Sequence, residues 1–312
     1  MRVVFTSDLH IDASEKHCDA VSAIADAARK HGPDVVVIAG DAGNTIAALE
    51  ETLSCFSRID ARKFFVPGNH DVWIETEDGV LIDSRAKYAK RIPDVCRRMG
   101  FHDLGQGPFV AGGVGFVGSL GWYDYSFADP RLGLTEDAYW RGRYGDEIWW
   151  DKKMTYWMPS RRAGAAVDAG DLPAERMRDP ELCEDSMVRG ALRERMRDAE
   201  VCSEMGARLE GHLRAIEGRV DTIVAVIHTL PFLVGLQRSD PPYYLDAYTG
   251  SERLGRILEA HPKVEHCIHG HKHLSGEWTV GRIRVYRRTL GRIDEDADIE
   301  GYVAKAIGLI DV

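Results

Sequence analysis

The sequence contains no CxxC pair. Its six cysteines (Cys18, Cys55, Cys96, Cys183, Cys202 and Cys267) are scattered along the chain. That excludes a zinc knuckle or a disulfide framework and leaves ordinary thiols of a reducing compartment. An excess of positive charge is also missing. The formal net charge is -10, which argues against a generally basic surface for gripping a nucleic-acid backbone and leaves room only for a local basic patch. Long hydrophobic runs are absent too. The longest, Thr222 to Leu236, is broken by His228 and Pro231 and is too short to span a bilayer. No signal peptide opens the chain: Met1-Arg2 runs straight into Val3-Val4-Phe5, and Asp8 follows at once. Together these absences predict a cytoplasmic protein with no membrane association. Internal repeats, coiled-coil heptads and low-complexity tracts are not found.

What is present is a soluble globular composition, 44% hydrophobic and 29% charged over 312 residues. This length suffices for one large α/β domain or two smaller ones. The first third alternates strand and helix signals. Arg2–Ser7, Asp34–Ala39 and Lys63–Val66 read as strands, and Glu15–His31 and Thr45–Arg58 as helices. The run Val-Val-Val-Ile within Asp34–Ala39 suits a strand buried on both faces. This β-α-β-α-β order predicts a parallel sheet. Ser84–Met99 reads as a helix broken or kinked by Pro93, followed by strands Phe109–Ala111 and Val114–Ser119 about a Gly-Gly turn. The final third returns to sheet, with strands Thr222–Ile227 and Val264–Ile268 separated by a helix over Ser251–Ala260. Glu277–Val280, Arg282–Arg287 and Ala304–Asp311 read as antiparallel closing strands.

Five strand ends carry the same kind of residue: Ser7-Asp8-Leu9-His10, Gly40-Asp41, Gly68-Asn69-His70-Asp71, Ile227-His228-Thr229 and His269-Gly270-His271-Lys272-His273. In open α/β sheets ligands gather beyond the carboxyl ends of strands. Neighbouring strands would therefore bring these distant residues together. Asp8 and His10 are two apart on an extended segment and face one side, as do His271 and His273. Glycine precedes Asp41, Asn69 and His271, permitting tight turns and close backbone approach. Seven candidate ligands follow: Asp8, His10, Asp41, Asn69, His228, His271 and His273. They form a mixed oxygen and nitrogen set without thiolate, which suits Mn, Fe or Zn better than Mg or Ca. Seven protein ligands are too many for one ion, and two divalent ions sharing a carboxylate use them naturally. Asp41 is the best bridge.

In order and strand context these blocks resemble the calcineurin-like metallophosphoesterase family over most of the chain. The resemblance implies a single domain over 1–312. Its fold would be a four-layer α/β sandwich of two mixed β-sheets flanked by helices. It further implies one metal held by Asp8, His10, Asp41 and His273, and a second held by Asp41, Asn69, His228 and His271. His70 would protonate the leaving oxygen, with Asp71 orienting it, while a metal-bridging hydroxide attacks phosphorus in line. The family often has an acidic residue three positions beyond the bridging Asp. This chain has Asn44, which can hydrogen-bond but carries no charge.

The segment 123–200 differs in character and reads as an aromatic-rich insertion, a lid or cap. Five of the seven tryptophans fall between Trp122 and Trp157. Three readings stand open: a small satellite core, a wall with rings for stacking a planar group, or a homo-oligomer contact. Trp73, Trp122 and Tyr123 are the candidate substrate contacts at the rim. Arg141, Arg143, Arg161 and Arg162 are phosphate holders or solvated surface. Glu181–Glu217 reads as helix interrupted at Gly190 and Gly206. His269 is either a support to the ligands or a satisfied core histidine, and Lys272 points at solvent. The expected activity is hydrolysis of a small-molecule phosphodiester or phosphomonoester. The alternatives are a metal-dependent nuclease, and a non-catalytic metal-binding scaffold of the same fold.

Overall fold

The computed structural model describes residues 1–77, 80–159, 195–294 and 298–312. Two β-sheets pack face to face, with helices on both outer sides. The first has the order β15-β1-β2-β3-β6, built from Gly308–Asp311, Arg2–Thr6, Val35–Ala39, Arg62–Val66 and His102–Asp103. The second has the order β13-β14-β12-β11-β8-β7: Gly276–Val280, Ile283–Arg287, Val264–His269, Thr222–Ile227, Val114–Ser119 and Phe109–Ala111. Among the described residues two short hairpins complete the strand set, β4–β5 (Glu75–Glu77 with Val80–Ile82) and β9–β10 (Arg143–Tyr144 with Glu147–Ile148). Both large sheets are mixed, since β15 joins β1 antiparallel while β1, β2, β3 and β6 run parallel, and β13 and β7 join the second sheet antiparallel.

Strand β2 shows why the order is stable. All five of its residues are buried. Alternate side chains feed two different cores, as the period-2 geometry of a strand requires. Val35, Val37 and Ala39 join Val3, Phe5, Phe64, Phe116, Val224 and Ile268 between the sheets. Val36 and Ile38 face the other way, toward α1 (Glu15–Lys30) and α2 (Ile46–Phe56). The second sheet mirrors this arrangement. Ile223, Ala225 and Ile227 pack outward with Leu209, Leu213, Leu254 and Leu258. Those leucines come from two further helices, Asp198–Ile216 and Glu252–Ala260.

The ligand-bearing strands are divided between the two sheets that the resemblance implied: β1, β2 and β3 lie in the first and β11 and β12 in the second. Convergence comes from stacking the sheets. Several expectations are corrected. The segment Ala304–Asp311 is not one strand. A helix, Ile299–Ala306, precedes β15, with Ile299, Tyr302, Val303 and Ile307 packed against the first core. A short apolar run cannot by itself tell helix from buried strand. Strand β14 is antiparallel to β13 but parallel to β12. Pro93 does not end its helix. The turn before it, Lys87–Arg91, widens into a π-turn, Ile92 N–H bonds the Lys87 carbonyl, and α-helix continues over Ile92–Arg98. Arg161 and Arg162 lie outside the described residues, as does the expected Glu181–Glu217 helix up to residue 194; its described part, Asp198–Ile216, is one helix that Gly206 does not interrupt.

One buried carboxylate generates a pH prediction. Asp103, on β6, is 6% exposed, and one of its oxygens has no hydrogen-bond partner among the described residues. Burial pushes its pKa up to about 7, against the amide of Gly105, which pulls it down. The folded state therefore holds this proton more tightly than the unfolded chain does. Stability is lost as pH rises from about 4 to about 7 and then levels off. Asp103→Asn removes that loss. Its melting temperature relative to the parent should climb between about pH 4 and about pH 8, and a difference independent of pH would contradict the assignment.

Candidate metal centre

The loops leaving β1, β2, β3, β11 and β12 meet at one end of the stacked sheets. Backbone bonds tie them together: Asp8 N–H to Gly40 O (3.0 Å), His10 N–H to Asp41 O (3.0 Å) and Gly270 N–H to His228 O (3.0 Å). A side chain crosses between the sheets, with His228 Nδ1 lying 2.8 Å from Ala39 O. The turns are tight enough to force unusual backbone. Asp8, His10, Asp41 and His271 all adopt positive φ, at 53°, 43°, 55° and 72°. For a non-glycine residue this costs about 1 kcal/mol or more and persists only where the surroundings over-determine it. Close approach also explains two glycines. A Cβ at Gly40, itself at φ 88°, would lie 2.3 Å from the His228 ring, and one at Gly68 would lie 2.1 Å from the Asp41 carboxylate.

All seven candidate ligands converge, in two overlapping groups. Donor atoms of Asp8, His10 and His273 lie within 4.8 Å of one another, as do those of Asp41, His228 and His271. Asp41 Oδ2 links the groups, at 3.8 Å from His10 Nε2 and 3.3 Å from His228 Nε2. Asn69 Oδ1 joins the second, 3.0 Å from His228 Nε2 and 2.9 Å from His271 Nδ1. The outer ring nitrogens are held by backbone. His228 Nδ1–H donates to Ala39 O, and His271 Nε2–H donates to Tyr248 O at 3.1 Å. Each hydrogen bond makes the outer nitrogen the N–H and turns the other nitrogen inward. On His271 that nitrogen keeps its lone pair. On His228 burial is outweighed by Asp41 and Asp8, which raise the pKa to about 9, so a cation would displace a proton there. The donor set and its inward nitrogens fit divalent ions of the Mn, Fe or Zn kind.

Electrostatics agree with this reading. Burial lowers His10 to about 3, with His70 adding to the effect and Asp41 opposing it. Burial, reinforced by His228, lowers His271 to about 3. Both rings are neutral at neutral pH. For Asp41 burial works in the opposite sense, but His228, His70 and His10 outweigh it and hold the carboxyl well below its usual range. The buried acid is therefore an anion awaiting cations.

His70 sits beside the first group, forming a third cluster with His10 and Asp41. Its Nδ1 is 2.8 Å from Asn44 Oδ1, and its ring packs on Trp73 with centroids 4.0 Å apart. The expected orienting role of Asp71 is corrected here. The buried Asp71 carboxylate accepts four backbone N–H groups, from Asp41, Ala42, Gly43 and Gly68, at 2.7–3.3 Å. It fastens the loops after β2 and β3 to each other, and Asn44 takes the place beside the ring.

Trp122 and Tyr123 are also corrected as rim contacts. Both are wholly buried and stack on each other at 4.8 Å. They belong to an aromatic cluster with Tyr125, Tyr139 and Tyr248, so the described part of the insertion is largely a satellite core. Trp149 carries that cluster to the candidate ligands, edge-on to His271 at 5.7 Å. Trp73 is half-buried beside His70. His269 is buried against Trp278, outside the ligand groups. Lys272 is half-buried and pairs with Asp246 at 3.3 Å instead of pointing at solvent. Arg141 and Arg143 are exposed. Sequence reading missed Asp151, whose Oδ1 accepts from both Asn69 and Trp73. Lying 82 positions from Asn69, it gives no local signal.

Comparison with known proteins agrees with this geometry. The calcineurin-like phosphoesterase family matches residues 1–179, more than half of the chain. The fold is similar to that of the phosphopantetheinyl hydrolase of Mycobacterium tuberculosis, with TM-score 0.65 and 19% identity, covering 93% of this chain and 89% of that one. It is also similar to the protein TT1561 of Thermus thermophilus, with TM-score 0.50 and 11% identity, covering 99% of this chain and 98% of that one. No curated protein matches the chain in sequence. Among the described residues no helix is long and apolar enough to cross a membrane.

The Asp71 contacts predict a structural phenotype. Asp71→Ala leaves several buried donors without an acceptor, each costing about 1–3 kcal/mol. Denaturant unfolding of the metal-free protein should show a loss of about 3 kcal/mol or more. A variant as stable as the parent would refute the fastening role.

Proposed function

Because the chain belongs to the calcineurin-like phosphoesterase family and is a metal-dependent phosphoesterase, we propose that it is a cytoplasmic dinuclear-metal hydrolase of a small phosphodiester or phosphomonoester. In this reading one ion is held by Asp8, His10, Asp41 and His273, and the other by Asp41, Asn69, His228 and His271. When bound, such an ion pair polarises a phosphoryl oxygen and lowers the pKa of water, so that hydroxide is available at neutral pH. The observation that carries the proposal is the pair of donor groups linked through Asp41.

The chain's own residues then complete the reaction. His70 is the proton donor. A ring protonated at both nitrogens keeps Nδ1–H on Asn44 Oδ1 and presents Nε2–H to the leaving oxygen, so the departing group leaves as an alcohol. Trp73 holds the ring plane from one face, and His10 lies edge-on at 4.7 Å. Asp71 contributes through the backbone it binds, by holding Asp41 and Gly68 in place. Within residues 123–159, Trp149 backs His271 and Asp151 meets Asn69 and Trp73. A net charge of -10 disfavours a nuclease, and the complete donor set disfavours an inactive scaffold.

The test is a screen with Mn-loaded protein. It takes bis-p-nitrophenyl phosphate, p-nitrophenyl phosphate, cyclic nucleotides and phosphorylated metabolites. Phosphopantetheinyl conjugates form one arm, since the fold-sharing hydrolase carries that name. Two bound ions with no turnover of any ester would sink the hydrolase reading. His70→Ala should lose about 10²–10⁴-fold on alkyl esters, whose leaving group needs the proton. It should lose far less on p-nitrophenyl esters. Full alkyl-ester activity would remove His70 from the mechanism.

A further inference from the structure

We propose that Asp151, carried on the aromatic insertion, is a positioning residue of the metal centre, setting the orientation of both the Asn69 carboxamide and the Trp73 ring. The inference rests on the reading of Asn69 as a ligand. Asp151 is 1% exposed and opens a short helix, Asp151–Met154. Its Oδ1 lies 3.0 Å from Asn69 Nδ2 and 2.8 Å from Trp73 Nε1. Both donors come from the loop after β3, and the acceptor comes from a segment outside both large sheets.

The Asn69 contact decides which end of the carboxamide faces the ions. An asparagine amide can turn either way, placing its oxygen or its NH2 group inward. Inward NH2 would satisfy the lone pair of His271 Nδ1 in the metal-free protein and would repel a cation. Asp151 accepts from Nδ2 and so keeps Oδ1 pointing at His228 Nε2 and His271 Nδ1, at 3.0 and 2.9 Å. The Trp73 contact acts on the other functional group. With its indole N–H fixed, the ring lies as a plate against His70. One carboxylate thereby orients a metal ligand and the support of the proposed proton donor.

The segment around Asp151 is anchored well enough for this task. Ile74 N–H bonds Met154 O at 2.7 Å, Ser84 N–H bonds Tyr156 O at 3.0 Å, and Thr155 Oγ1 donates to the Asp151 carbonyl at 2.7 Å. Trp149, two residues earlier, packs against both Tyr248 and His271. The insertion therefore reaches the second ligand group from two sides.

The experiment titrates Mn(II) alone into metal-free full-length protein by calorimetry and counts bound ions by elemental analysis. Wild type should take two ions. Asp151→Leu removes the acceptor at similar volume and should weaken one ion by about 10- to 100-fold while leaving the other unchanged. Asp151→Ser, too short to reach both donors, should behave likewise and replaces the leucine variant if that one fails to fold. Asp151→Asn retains an acceptor oxygen and should bind both ions much as the wild type does. Trp73→Phe should keep both affinities and lower kcat on alkyl esters without raising KM. Wild-type affinity in the Leu and Ser variants would overturn the proposal, and so would an Asn variant as weak as Leu. If the wild type binds two ions yet hydrolyses no ester, the hydrolase reading fails while the titrations still judge Asp151.

Discussion

A single carboxylate constrains the rest of this site. Asp71 gathers the amides of Asp41, Ala42, Gly43 and Gly68 around two oxygens, and in doing so draws the ends of β2 and β3 into contact. Everything metal-facing depends on that contact. Asp41 can enter its left-handed turn because its own N–H is satisfied at once. Gly68 can lie against the Asp41 carboxylate because no Cβ intervenes. His70 N–H then donates to Asp41 Oδ1 at 2.9 Å, fixing the loop that carries the proposed acid. The stacked sheets bring His228 and His271 to the same point from the opposite side. The centre is thus a joint between two sheets, and the inter-sheet core of Val37, Ala39, Phe64, Val66, Val224 and Val226 sets its width.

Much of this was legible in the chain. The apolar run of β2 and the helix spacing of α1 announce themselves through burial on two faces or on one stripe. The five polar blocks stand out because each interrupts such a run where a strand must end. Sheet partnership was not legible. Nothing in Val224-Ala225-Val226 or Val36-Val37-Ile38 says whether they share a sheet or face each other across a core, since both arrangements bury both faces. The strand–helix ambiguity at Ile299–Ala306 has the same origin: a few apolar residues suit either period.

Roles were less legible than positions. The Gly-Asn-His-Asp block places Asp71 next to His70, and the family resemblance implied that Asp71 orients it. Along the backbone, though, their side chains diverge. Asp71 turns inward to the amides, and Asn44, from the neighbouring loop, reaches the ring. The aromatic residues misled for a related reason. Trp122 and Tyr123 follow a core strand and so were expected near the rim, but a large ring at such a position is buried by its own area. Trp149 and Asp151, deep in the insertion, touch or orient the ligands through contacts that only the folded chain creates.

The four ligand residues held at positive φ have a consequence for how this chain can change. Glycine reaches the left-handed region with less strain than aspartate or histidine. At Asp8, His10, Asp41 and His271 the substitution that most relaxes the backbone, to glycine, is therefore also one that removes a candidate donor. Random drift under selection for folding alone would run downhill toward a more stable protein with an empty centre. Folding stability and metal binding therefore pull in opposite directions at these four positions.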